Sequence, residues 1–396
     1  MANNTVSPVE SDAQRRGRRT SYVAILACVS VFGFALGITY PMLALALEAR
    51  GLNNTMIGLN GATEAAGILT AAFIVPRLAA RYGTIRFMIN CLFVAAATLI
   101  SFGIVENAYA WMPIRFVLGI ALGGLFLISE SWINAVVDDA HRGKALGLYV
   151  TVMGAAFAAG PLLVPVLGFT GLLPFAVCAG VVMSALVPLW LARKSAPGLD
   201  DGPPAENIVA YIFRVPTIMG AILLISIIDF AVIGLLPVYA LKLDFTSTDA
   251  AFMLTAVAAG NVVLQMPIGW LADRMNRYSV LLLCAFAAML GSIALPFAIA
   301  SAWLLWPLLF FWGGIVYGIY TLSMVLLGER YSGSQLVAAN ATSAMVWGIG
   351  GMIGPAIGGW AMDAFGPQGL PVTLAIGCAI FIAVAASRHP QAIFGR

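Results

Sequence analysis

Twelve apolar stretches of roughly 20 residues follow one another along this 396-residue chain, each long enough to carry a helix across the hydrocarbon core of a bilayer. No water satisfies the backbone inside lipid, so such segments fold as helices whose peptide groups bond to one another. The stretches run approximately over 22–48, 56–76, 87–105, 111–135, 145–167, 172–191, 216–240, 251–271, 280–300, 303–327, 338–360 and 370–387. Only 9% of residues are charged and 61% are apolar, against roughly 25% charged in ordinary soluble domains. An all-α integral membrane protein with twelve transmembrane helices is expected, with little left for a soluble domain. Arg15, Arg16, Arg18 and Arg19 before the first span and Ala44-Leu45-Ala46 near its end imitate a secretion signal. Its apolar run is about twice the usual signal core, and eleven spans follow, so it is read as an uncleaved helix.

Lys and Arg are disfavoured in translocated loops, which orients the chain. With the N-terminus in the cytoplasm, inside segments hold Arg15, Arg16, Arg18, Arg19, Arg77, Arg81, Arg86, Arg142, Lys144, Arg193, Lys194, Arg214, Arg274, Arg277, Arg330, Arg388 and Arg396. The outside loops hold only Arg50 and Lys242, and Arg115 is the sole base within a span. Both termini are therefore expected in the cytoplasm. The net charge of +3 is explained by bases facing the anionic leaflet and implies no nucleic-acid partner. Cys28, Cys91, Cys178, Cys284 and Cys378 lie singly in different spans, without ligand or redox spacing. His141 and His389 have no acidic or cysteine cluster beside them, so neither a metal nor a cofactor is expected.

Asp229 stands alone between Pro216 and Ala240, where no other residue is charged. An ionised side chain at the bilayer centre costs about 2.5–3.5 kcal/mol on insertion scales, so its presence marks a function by default. Glu64 lies about eight residues into span 2 and Asp229 about thirteen into span 7, which at about 1.5 Å per residue places both in the middle half of the bilayer. Low dielectric disfavours the ionised form, making each a candidate proton carrier. A neutral acid hydrogen-bonded to a neighbour is the plainer alternative. Arg115 lies only about 6 Å in from the outer end of span 4, within easy snorkelling reach, so no base is expected at a depth to pair with either acid. Gly119 and Gly123 share a helical face with Arg115, the spacing that lets helices approach closely.

The chain repeats itself at a shift of about 194 residues. Pro41 in YPMLALAL falls on Pro237 in LPVYALKL, PRLAAR at 76–81 on GWLADR at 269–274, Gly160-Pro161 on Gly354-Pro355, and Glu130 corresponds to Glu329. A repeat of this length marks a transporter built from two halves. The division expected is a tail (1–21), a six-helix half (22–191), a linker (192–215) rich in Pro, Gly and Asp, a second half (216–387) and a tail (388–396). The Gly-Pro pairs are expected to bend spans 5 and 11 at matched points.

GWLADRMNR at 269–277, Arg115 with Gly119 and Gly123 in span 4, and GGMIGPAIGG at 350–359 are together similar to the motifs of the major facilitator superfamily. The chain resembles a member of it over nearly its whole length, in a bacterial permease branch grouped with drug exporters. The resemblance implies two pseudo-symmetric halves working by alternating access. It implies a cytoplasmic gate of Asp273 and Arg274 with Glu329 and, in the first half, of Arg81 with Glu130, the latter weaker because Ala80 stands in the Asp position. Asn276 replaces the usual glycine and tolerates a left-handed backbone. Snorkelling charges at helix ends are the plainer account of these groups. The family motif also gives Arg115 a part in proton movement. The pattern at 350–359 is associated with antiporters but is expected in span 5, where only GAAFAAGPLLVP occurs.

By the same resemblance spans 1, 4, 7 and 10 line a central cavity, contributing Phe32, Phe34, Tyr40, Phe230, Trp312, Tyr317 and Tyr320, with Asn261 and Gln265 on one face of span 8. Aromatic walls with few polar groups and no midplane base suit a lipophilic neutral or cationic solute rather than an anion. The reading is a monomeric, proton-coupled secondary transporter exporting such small molecules, with protons and the lipid bilayer as its partners. The alternatives are a proton symporter importing a small neutral nutrient and a membrane receptor or scaffold without transport. No nucleophile, metal cluster or phosphate loop points to an enzyme.

Overall fold

In the computed structural model, residues 12–137, 142–195 and 210–388 are described. His141, His389, Arg396 and the linker core from Pro197 to Pro204 fall outside them. Six crossings form the first half: α1 (Asp12–Ala49), α2 (Asn54–Tyr82), α3 (Thr84–Ile104), α4 (Trp111–Val136) after a short 3-10 turn (Ala108–Ala110), α5 (Arg142–Leu167), and α6 (Leu173–Ser184) continued by α7 (Leu186–Leu191). The sixth crossing breaks at Ala185 because Pro188 cannot donate to the carbonyl of Ser184, four residues back. A single turn, α8 (Ala210–Arg214), precedes the second half. That half holds α9 (Pro216–Leu241), α10 (Ser247–Arg274), α11 (Arg277–Ala298), α12 (Ala302–Arg330), α13 (Gly333–Phe365) and α14 (Gly369–Arg388). Eleven crossings are long and apolar enough to span a bilayer by composition alone, and α13, with seven glycines, completes the twelve. α1 starts at Asp12 rather than at 22, because a helix continues beyond the bilayer edge through polar residues.

The repeat seen in the sequence is a repeat of packing. A Cβ on Gly67 would stand 2.2 Å from the carbonyl of Phe116, and one on Gly260 would stand 1.7 Å from that of Phe310. So α2 rests backbone to backbone on α4, and α10 on α12. Gly119 repeats the contact from the other side, 2.2 Å from the carbonyl of Glu64. Lipid offers no hydrophobic drive between helices, so close packing of small residues does this work. Gly160 meets the backbone of α1 and Gly354 that of α9, while the neighbouring prolines face the opposite half. Pro355 lies on Gly58 of α2, where a Cβ would approach its carbonyl to 1.9 Å.

The two halves are tied at the end opposite the chain termini, here called the far end. Asp363 with Asn54 and Thr55, and Lys242 with Glu48, join the halves there. α9 is central: 78% of its most apolar stretch is buried, more than in the other ten of those eleven crossings.

Candidate functional site

Because α9 is enclosed by protein, Asp229 faces the interior rather than lipid. It lines a narrow cleft between the halves with Gly37 of α1, Phe157 and Pro161 of α5, Leu254 and Val257 of α10, and Tyr317 of α12. The Tyr317 hydroxyl donates to Asp229 Oδ1. Among the described residues no Lys or Arg forms an ion pair with this carboxylate. It is a single acid, held by one neutral donor, at the seam of the molecule.

Glu64 is not alone, contrary to the expectation that no base lies at its depth. Arg115 Nε donates to Glu64 Oε2 at 2.7 Å and its NH1 to Asn60 Oδ1 at 2.6 Å, and all three side chains are buried. The guanidinium also lies over the Tyr40 ring, 4.4 Å from its centre. α2 and α4 run the same way and Gly119 rests on the Glu64 carbonyl, so Glu64 stands about one turn from Arg115. The register of α2 on α4, set by Gly67 and Gly119, is not legible from the ends of the spans. A buried pair of this kind carries no net charge, and each partner would be costly alone. Glu64 Oε1, Asn60 Nδ2 and one Arg115 terminal nitrogen have no protein partner.

The predicted cavity residues separate into groups. Tyr40, Phe230 and Tyr320 belong to a run of edge-to-face rings through the centre: Tyr40 to Phe230 at 5.7 Å, Phe230 to Trp347 at 6.3 Å and Trp347 to Tyr320 at 5.0 Å. Trp347 of α13 was not among the predicted residues, since span 11 is not one of the expected cavity spans. Phe32 stacks on Phe126 at 4.7 Å, and Phe34, about 200° further round α1 at 100° per residue, cannot share its face. Trp312 is misplaced by the prediction: its indole donates to the Ala288 carbonyl at 2.9 Å and packs on Gly291, filling the α11 interface instead of the cavity. Gln265 donates to Asn261 Oδ1 at 3.0 Å and accepts from Thr321, whose hydroxyl also leans on the Tyr317 carbonyl, so its amide is spent within the wall.

The expected gate at the termini end has a different membership. Arg277, not Arg274, pairs with Glu329 and reaches Asp273 at 3.7 Å. Arg274 closes α10 and folds back over Trp270, 3.9 Å from the ring centre. Asn276 caps α11 through its side chain with φ −59°, so it uses no left-handed backbone. Among the described residues no ion pair joins Arg81 to Glu130: Arg81 lies over Tyr82 and Glu130 is exposed. Gly83 and Thr84 stand where a first-half counterpart of Arg277 would fall.

The far end holds a contact that the sequence reading passed over. Asp363 of α13 accepts four hydrogen bonds from the start of α2: from the Asn54 backbone N–H at 2.9 Å and side-chain amide at 2.7 Å, and from the Thr55 backbone N–H at 2.8 Å and hydroxyl at 2.5 Å. With Asn53 capping the Met56 N–H, three of the four orphan donors of α2 are satisfied, two of them by the other half. α10, the repeat-mate of α2, caps itself through Thr246 and Asp249. Beside this clasp Lys242 meets Glu48 at 2.9 Å. The two are 194 residues apart, so they are equivalent positions of the two halves carrying opposite charge. That signal lay in the repeat. Among the described residues no three His, Cys, Asp or Glu side chains converge as a metal site would require.

The profile of the Major Facilitator Superfamily matches residues 25–323 and 218–392. Over 360 residues the chain is 25% identical to the uncharacterized MFS-type transporter YfkF of Bacillus subtilis, covering 88% of this chain and 90% of that protein. It is 23% identical over 354 residues to YcaD of Shigella flexneri, covering 89% and 91%. Among solved structures it superposes on a bacterial homolog of the human lysosomal transporter Spinster, in an inward-facing and unoccupied conformation, with TM-score 0.76 and 14% identity over 95% of this chain and 97% of that one. The nucleoside transporter NupG gives TM-score 0.72 with 12% identity over 94% and 98%. Two packing-equivalent six-helix halves meeting around a single acid, together with a family profile matching nearly end to end, place the chain in the major facilitator superfamily as a membrane transporter.

Proposed function

We propose that this chain is a proton-coupled secondary transporter that exports lipophilic neutral or cationic small molecules by alternating access. The reading rests on Asp229: a carboxylate that no Lys or Arg among the described residues pairs with, held by Tyr317, at the seam between the two halves. A group so placed binds a proton or a cation, not both, and exchange of one for the other as the seam opens alternately couples their fluxes. The termini end carries the basic residues and is assigned to the cytoplasm of a bacterial inner membrane, with both termini there and the protein acting as a monomer. The far end, clasped by Asp363, is then the external gate, and the Arg277–Glu329 pair belongs to the cytoplasmic mouth. The proline faces of α5 and α13 are assigned to the surfaces that rock. No catalytic chemistry is assigned.

The test is solute flux in everted vesicles under an imposed pH gradient, with Asp229→Asn alongside. Export predicts accumulation in the everted lumen driven by an acid interior and lost in the amide variant. Flux that ignores the gradient, or an amide variant that accumulates solute as well as the parent does, refutes the proposal. Accumulation in the opposite sense identifies a symporter.

A further inference from the structure

We propose that Trp347 and Tyr320 form two walls of a binding site for an organic cation, whose charge is met by Asp229. The inference rests on the reading above that solutes pass through the central seam, and it assigns the residues and charge class that recognise them.

The rings of Trp347 and Tyr320 stand 5.0 Å apart at 70°, making a corner rather than a stack. Tyr320 is 39% exposed and Trp347 half-buried, so both remain open to a solute. Trp347 is fixed from behind by Phe230 and by the Ser226 hydroxyl, which donates to its carbonyl. Two helices then tie the corner to the acid. Tyr320 lies one turn from Tyr317 on α12, and Ser226 one turn from Asp229 on α9. α9 and α12 run in opposite directions, so Tyr317 and Asp229 share one layer, and Tyr320, Ser226 and Trp347 share the next. The second layer is nearer the termini end. A solute entering from that side meets the aromatic corner before the carboxylate.

The chemistry of these groups favours one charge class. Aromatic faces carry the negative side of a quadrupole and attract cations, more strongly where water is excluded. Glu64 and Arg115 neutralise each other. Asp229 one layer deeper and Glu130, whose carboxylate also acts on Tyr320, therefore make the field at the corner negative. An anion would meet a carboxylate and π faces, while a neutral solute would use the rings and leave the charge idle.

The test compares tetraphenylphosphonium with uncharged triphenylphosphine oxide, each bound to purified full-length protein by equilibrium dialysis. The parent is expected to prefer the cation by about tenfold or more. Trp347→Leu and Tyr320→Leu should each cut that preference severalfold with little change for the oxide, while Trp347→Phe, which keeps a ring, retains most of it. A purely structural role would weaken both probes together, so parallel loss refutes the inference, as does a preference surviving both leucine variants. Failure of the parent to bind the cation, or equal binding of the two probes, refutes it as well. Gradient-driven export in vesicles is measured separately, so the inference can fail while the transporter reading stands.

Discussion

Asp363→Ala removes the clasp that the second half places on the first, and its cost follows from the bonds it breaks. The carboxylate caps two backbone N–H groups of α2, a loss of about 1 kcal/mol as for an N-cap, and it adds a charge at the positive helix end, about 0.3–1 kcal/mol. The bonds from the Asn54 amide and Thr55 hydroxyl are partly open to water and together add about 1 kcal/mol. Since the clasp exists only while the far end is closed, the sum of about 2–3 kcal/mol belongs to the closed state alone. At about 1.36 kcal/mol per decade, the ratio of far-end-open to far-end-closed molecules rises about 30- to 150-fold. If the open form starts near 1%, within the range typical of minor states, a 30-fold shift brings it to about 23%. Spin labels replacing Tyr109 in the first half and Phe365 in the second, both exposed at that end, read this as a second, longer distance in pulsed dipolar spectra. The five native cysteines are buried and do not compete for label. Asp363→Asn keeps one acceptor and should give about half the free energy, a 5- to 13-fold shift by the same conversion. A distance distribution in Asp363→Ala matching the parent to within a factor of about three in population would refute the assignment of the clasp as a gate.

Three further outcomes are expected. Burial raises the Asp363 pKa, but the hydrogen bonds from Thr55 and Asn54 outweigh it and hold the carboxyl below the usual carboxylate range; the clasp is therefore at full strength above the free value of about 3.9 and fails only as pH falls through the clasped value, so the population difference between parent and Asp363→Asn should stay constant from about pH 5 to 8. Glu64→Gln strands a buried guanidinium and should cost about 3–5 kcal/mol in thermal unfolding, whereas the double variant Glu64→Gln with Arg115→Met should recover much of it; equal losses in the two would refute the neutral-pair account. Gly58→Ala pushes a methyl into the Pro355 carbonyl across the seam and should shift the label distances, while Gly119→Ala presses on Glu64 within one half and should lower the melting temperature, so an effect on stability from both with no change in distances would contradict the placement of the seam.

Spans and the two-half repeat could be read from the chain because each is local: a run of apolar residues must become a helix in lipid, and duplicated segments keep their spacing. Asp229 was legible for the same reason, as a charge out of place in its own helix. The pairings were not. Arg115 meets Glu64, Arg277 displaces Arg274, Trp312 turns toward α11 while Trp347 joins Phe230 and Tyr320, and Asp363 caps a helix more than 300 residues away. Each depends on the register at which one helix rests on another. Backbone contacts at Gly67, Gly119 and Gly260 set that register, and only once the helices are packed does a charge acquire its partner.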